Sequence, residues 1–222
     1  VAYGQIIPKE YLNLSKNGFV NVHASQLPKW RGAAPIQRSI MNLDKETGIS
    51  IMKITNELDA GPVMKISKIN ITENCTYKTL SKKMSELSAN LINETLEILE
   101  KNEEQFVPQD NSKATYAKKI SKLESRINWR HKARNLVAKI NALNPNPGAW
   151  FDYNGLRIKI LKAQEIQKTG KPGEIIDEKL TIGCLENSLQ VLELKKEGKK
   201  EMSAIEFLKG NKIKVGTILN GV

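Results

Sequence analysis

Hydrophobic and polar positions change period along this chain. In the first half, Gly18 to His23, "GISIMKI" (48–54) and "PVMKISKINI" (62–71) carry the short β-branched runs of strands, with Gly61 turning the last two apart. Pro35 stands where a helix over "PIQRSIMN" would begin. From Thr76, placed as an N-cap, the period becomes helical. Leu80, Met84, Leu87, Leu91, Thr95 and Ile98 fall on one face. Strands alternating with helices predict an α/β domain with a mostly parallel sheet.

The second half has a different rhythm. "FVPQDNSKATYAKKI" (106–120) is polar, contains a proline and reads as a linker. A helix follows over "HKARNLVAKINAL" (131–143), stopped by "NPNPG". Then come "AWFDY", "RIKILKA", "EIID", "LTIGCL" and "LQVLELK", parted by Gly, Pro, Asn and Asp turns, and a late helix "SAIEFLKG" (203–210). Five short strands with one closing helix predict a small β-barrel.

Composition narrows the class. A chain of 222 residues, 40% hydrophobic and 27% charged, can bury a core without disulfide or metal staples. Its two cysteines, Cys75 and Cys184, lack a paired spacing and suit reduced thiols in a cytoplasmic protein. There is no 18-residue apolar run, so no membrane partner is expected. The opening "VAYGQIIP" reads as the tail of a buried strand, and a segment upstream of it is expected.

Charge divides the chain. Residues 1–110 carry 13 Lys+Arg against 13 Asp+Glu, whereas residues 111–222 carry 22 against 11, so the net +11 lies in the second half. A neutral first half beside a basic second half points to a polyanion held by the C-terminal part.

The candidate chemistry sits in "NVHASQLPKWRGAAPIQ". A lone histidine is usually a packed or solvated residue. His23, however, is two positions from Asn21 on a strand, so both side chains share a face. An amide NH2 and an imidazole N–H aimed at one point are what a developing oxyanion needs. Asp59, in "NELDAGPVM", carries a carboxylate that would orient His23 and relay a proton, although Asp-Ala-Gly is commonly plain turn chemistry. The loop after His23 matches neither a Walker loop nor a dinucleotide fingerprint. Its prolines stiffen it, and Trp30 between Lys29 and Arg31 suits an aromatic or anionic ligand. His131 reads as a surface histidine.

Taken together, "NVHASQLPKWRGAAPIQRSI", "ETGISIMKI" and "ELDAGPVM" resemble the folate-dependent formyltransferases, and within them the branch that acts on methionyl-tRNA. "TYAKKISKLESRINW", "NALNPNPGAWF" and "GKKEMSAIEFLKG" extend the resemblance through the second half. It implies a Rossmann-like formyltransferase domain, N-terminally incomplete here (1–107), a linker (108–122) and an OB-like tRNA-binding barrel (123–222). It also implies a catalytic trio of Asn21, His23 and Asp59. A folate contact is implied at Ser25, Gln26, Leu27 and Pro28, with Tyr3 and Gly4 at the pterin pocket. The formyl donor would be 10-formyltetrahydrofolate, without a metal, and the acceptor initiator methionyl-tRNA. Arg31, Lys118, Lys119, Lys195, Lys196, Lys199 and Lys200 are the candidate tRNA contacts, and a monomer is expected. The sequence departs from the family pattern at Gln26, Leu123, Asn128 and Asn141. Two alternatives remain: a sugar-nucleotide N-formyltransferase, and a catalytically inactive nucleic-acid-binding fragment.

Overall fold

A computed structural model describes residues 7–12 and 14–220. The chain divides into two compact units: Val1–Ser39 with Asp44–Glu73 and Thr79–Lys119, and Ile40–Leu43 with Asn74–Lys78 and Ile120–Val222. Tyr3 and Gly4, expected at a pterin pocket, lie outside the described residues. Among the described residues no helix is long and apolar enough to cross a membrane.

The first unit begins with a short helix α1 (Lys9–Leu12) and contains strands β1 (Val20–His23), β2 (Glu46–Lys53) and β3 (Val63–Asn70). β2 is central, and both pairings are antiparallel. The expectation of a mostly parallel sheet therefore does not describe these three strands. The β2–β3 connection is shorter than the crossover of about a dozen residues that a parallel pair requires. Six successive positions of β2, Thr47 to Met52, are buried, so the strand is covered on both faces and shows no alternation. Gly48 is required there, because a Cβ would meet the Ser67 carbonyl oxygen at 2.2 Å.

Helices α2 (Pro35–Met41) and α3 (Tyr77–Glu100) start at Pro35 and directly after Thr76, as expected. Leu80, Met84, Thr95 and Leu99 are the buried residues of α3, while Leu87, Leu91 and Ile98 are half-buried. The Thr95 hydroxyl is satisfied within the helix by donating to the Leu91 carbonyl at 2.7 Å.

The stretch expected as a linker is bonded along the first unit. Val107 exchanges backbone hydrogen bonds with Val63 at 2.8 and 2.9 Å, and Ala117 donates to the Arg31 carbonyl at 2.7 Å.

The second unit contains α4 (Ala133–Leu143), β4 (Ala149–Tyr153), β5 (Leu156–Ile166), β6 (Thr181–Gly183), β7 (Ser188–Lys196), β8 (Glu201–Ser203) and α5 (Ala204–Gly210). The strands form one antiparallel sheet in the order β4-β5-β7-β6, with β8 also on β7. Register shifts between Ile160, Lys162 and Ala163 bend β5 and help the sheet curl into a barrel-like shape. "EIID" forms no strand. Its Glu174 and Ile175 make isolated bridges to Ile218 and Ile182 instead. At three residues, β8 is too short to show a strand period in the sequence.

The curled sheet closes over Ile127, Trp129, Phe151, Ile158, Ile160, Val191, Leu194 and Phe207, against Leu136, Ile140 and Leu143 of α4. Trp129 and Phe151 meet edge to face with centroids 5.8 Å apart. A capping box starts α5: Ser203 Oγ accepts from the Glu206 N–H at 3.1 Å, and Glu206 Oε2 accepts from the Ser203 N–H at 2.9 Å. Cys75 and Cys184 are both buried thiols outside any disulfide, and burial pushes the Cys184 thiol up to about 12.

Phe151 is fully buried at the centre of this cluster. Phe151→Ala is expected to cost about 3–5 kcal/mol of stability in urea unfolding. Leu123→Ala, at a position 74% exposed, is expected to stay within about 0.5 kcal/mol of the parent.

Candidate functional site

The candidate active site is built where β1 ends. Asn21 pairs with Met52 and His23 with Ser50 across the β1–β2 ladder, which projects both side chains to one face. His23 is 5% exposed, whereas Asn21 is half-buried. The Asn21 side chain takes no hydrogen bond from a described residue, so its amide is available to a ligand.

The loop after His23 fixes the imidazole. His23 Nε2 lies 2.8 Å from the Trp30 carbonyl oxygen, which can only accept, so Nε2 carries a proton. That bond leaves Nδ1 as the reactive edge of the ring, and Nδ1 faces Asp59 Oδ2 at 3.6 Å. Trp30 reaches this position with a left-handed backbone, φ 61°, unusual for so bulky a residue. Three bonds hold it there: its N–H donates to Thr115 Oγ1 at 2.9 Å, its indole Nε1 to Asp44 Oδ2 at 2.8 Å, and its carbonyl accepts from His23.

Asp59 is held just as firmly. It too is left-handed, at φ 48°, and its Oδ2 accepts the Gly32 N–H at 2.8 Å. Oδ1 takes no hydrogen bond from a described residue and is left for substrate or water. Gly32 is needed for two reasons. Its φ of 110° is unfavourable for any residue with a Cβ, and a Cβ there would sit 3.0 Å from the Ala117 carbonyl oxygen. His23 and Asp59, far apart in sequence, are therefore brought together as an ion-pair geometry.

The residues expected at a folate contact are arranged mainly for loop structure. Ser25 is fully buried, donating its hydroxyl to the Lys29 carbonyl at 2.5 Å, and Leu27 packs with Met52 and Val63. Gln26 donates to the Thr47 carbonyl at 2.8 Å, and Pro28 is half-buried.

Arg31 is held inside the first unit. Expected at tRNA, it is 3% exposed, and its guanidinium donates to Gln109 Oε1 and Asn111 Oδ1. Such a group cannot meet a phosphate from outside while those bonds stand. Sequence reasoning missed Gln109, Thr115 and Asp44, because a single polar residue in a loop carries no periodic signal.

The basic candidates divide by exposure. Lys118, Lys119, Lys199 and Lys200 are exposed, and Lys195 and Lys196 are half-buried. In the second unit, Lys195, Lys196, Arg157 and Lys159 line a cleft of about 460 Å³ together with Glu197 and Glu201. Lys159 and Lys195 are direct cross-strand partners, and Lys195 has Glu201 of β8 as its partner on the other side, which offsets part of the repulsion. Arg157 lies over the Trp150 ring at 4.0 Å, and Arg126 over the same ring at 5.6 Å. Neither arginine was singled out from sequence. His131 is exposed, as expected.

The sequence matches two models of one protein family. Residues 1–96 match the family "Formyl transferase", and residues 119–212 match "Formyl transferase, C-terminal domain". The chain belongs to the formyltransferase family. The methionyl-tRNA formyltransferase of Pelagibacter ubique is 50% identical over 223 residues, spanning 100% of this chain and 72% of that protein. The methionyl-tRNA formyltransferase of Dictyoglomus turgidum is 45% identical over 223 residues, spanning 97% of this chain and 71% of that protein. Among solved structures, a sugar 3N-formyl transferase superposes with a TM-score of 0.70 at 21% identity, covering 88% of this chain and 70% of that one. At that identity the likeness is one of formyltransferase fold alone.

Gly32→Ala tests whether the backbone dictates this site. The substitution is expected to cost about 1–3 kcal/mol of stability, from the forbidden φ. Chemical unfolding followed by Trp30 fluorescence, with Trp129 and Trp150 replaced by Phe, measures it. An unchanged midpoint would count against the Gly32 backbone conformation as described.

Proposed function

We propose that this chain transfers the formyl group of 10-formyltetrahydrofolate to the free α-amine of methionyl initiator tRNA, in the cytoplasm, as a step of translation initiation. The observation that carries the reading is the 3.6 Å approach of His23 Nδ1 to Asp59, beside the unengaged amide of Asn21. The 50% identity with a methionyl-tRNA formyltransferase supports tRNA as the acceptor.

Asn21, His23 and Asp59 are the catalytic residues in this reading. The neutral amine attacks the formyl carbon, forming a C–N bond while the carbonyl oxygen becomes an oxyanion. Asn21 donates to that oxyanion through its amide. His23 Nε2–H is committed to Trp30, so His23 meets the oxyanion through its Nδ1 edge, which Asp59 Oδ2 faces at 3.6 Å. Each donor of this kind is worth about 2.7–4 kcal/mol of barrier. Collapse of the intermediate breaks the bond to the folate nitrogen. Asp59 Oδ1 takes the proton the amine loses and returns it, through water, to that nitrogen.

In this reading the Ser25–Pro28 loop forms the folate-facing wall, with Gln26 and Pro28 the members that have exposed surface. Residues 1–107 act as the catalytic part and 123–222 as the tRNA-holding part. Lys118, Lys119, Lys195, Lys196, Lys199 and Lys200 contribute positive charge, as do Arg157 and Lys159, to binding of the phosphate backbone. Affinity for tRNA should therefore fall steeply with salt.

The test uses the full-length protein with 10-formyltetrahydrofolate and three acceptors: methionyl initiator tRNA, methionyl elongator tRNA and a UDP-aminosugar. Turnover confined to the initiator tRNA is expected. His23→Ala should lower kcat about a hundred- to a thousandfold while the Kd for tRNA stays put. Turnover on the aminosugar alone would replace the acceptor in this reading. Intact tRNA binding without turnover would reduce the chain to a binding protein.

A further inference from the structure

Gln109 lies outside the motifs that carry the family resemblance, in the polar stretch after α3. Its amide nevertheless joins the two loops that form the candidate active site. Nε2 donates to the carbonyl oxygens of Asp59 at 2.9 Å and Gly61 at 2.7 Å. Oε1 accepts from Arg31 Nε at 3.0 Å and Arg31 Nη2 at 2.8 Å. Both donors and both acceptor positions of the amide are thereby used, so its orientation is fixed.

The partners matter more than their number. Arg31 directly follows Trp30, whose carbonyl holds His23 Nε2, and Asp59 carries the carboxylate facing His23 Nδ1. Gln109 thus spans the gap between the support of the histidine and the backbone of its carboxylate. Arg31 is nearly fully buried, yet its guanidinium donates to the neutral amides of Gln109 and Asn111 at 2.8–3.0 Å. Burying a charge against neutral acceptors is less favourable than pairing it with a carboxylate. A carboxylate at position 109, however, would turn an oxygen toward the Asp59 and Gly61 carbonyls and place a second anion beside the His23–Asp59 pair. A neutral amide bridges the loops without disturbing that pair.

We propose that Gln109 is a positioning residue for formyl transfer, setting the His23–Asp59 separation through the backbone of Asp59. The kinetic part of this proposal rests on the formyl-transfer reading above, and the spectroscopic part does not. Gln109→Glu, isosteric, keeps the acceptor for Arg31 and removes both donations. Gln109→Ala removes both sides of the bridge.

The first readout is the ¹⁵N NMR spectrum of the His23 imidazole in the full-length protein. In Gln109→Glu it is expected to move toward that of Asp59→Asn. The second is turnover: kcat should fall about 10²-fold with KM for the formyl donor unchanged. In an Asp59→Asn background Gln109→Glu should have no further effect, because both changes act through one pair. A purely structural role would lower Tm in Gln109→Ala and leave the His23 spectrum of Gln109→Glu as in the parent, which would overturn the proposal. Multiplying effects in the double variant would also overturn it. A protein without turnover whose His23 resonances still respond to Gln109 would refute formyl transfer and keep the positioning role.

Discussion

The site depends on one carboxylate held at one distance. Asp59 Oδ2 accepts a hydrogen bond from the Gly32 N–H and faces His23 Nδ1, so a single oxygen couples the loop after β1 to the loop between β2 and β3. Much of the surrounding backbone serves that contact. Gly32 must adopt a φ closed to other residues, and both Trp30 and Asp59 sit in the left-handed region. Conformations of this kind cost about 1–3 kcal/mol each and persist only where neighbouring bonds over-determine them. Thr115, Asp44 and Gln109 supply those bonds.

The two units answer different physical demands. The first packs a central strand buried on both faces, which gives β1 a rigid edge from which Asn21 and His23 project. The second closes a curled sheet over a large apolar cluster and leaves a cleft where lysines stand opposite one another. The chain's whole net charge resides in its basic half.

Much of this was legible in the sequence, and the remainder was hidden for definable reasons. Helices α2, α3 and α4, and strands β4, β5 and β7, follow hydrophobic period closely, because burial of one face is a local signal. Asn21 and His23 share a face because strand spacing requires it. The antiparallel pairing of β1, β2 and β3 was not legible, since alternation of elements says little about strand direction. Short β8, with Met202 its one apolar residue, was too brief to show a period. Which nitrogen of His23 faces Asp59 depends on the Trp30 carbonyl, set by a backbone angle that no motif encodes. The burial of Arg31 follows from Gln109 and Asn111, which lie far along the chain.

The most direct measurement is a crystal structure of the full-length protein with 5-formyltetrahydrofolate, whose formyl group is not transferred. The account predicts the ligand's formyl end beside Asn21 and His23, with Nε2 still on the Trp30 carbonyl and Nδ1 between Asp59 and the ligand. A formyl end bound elsewhere, or a His23 ring turned so that Nδ1 contacts Trp30, would contradict it.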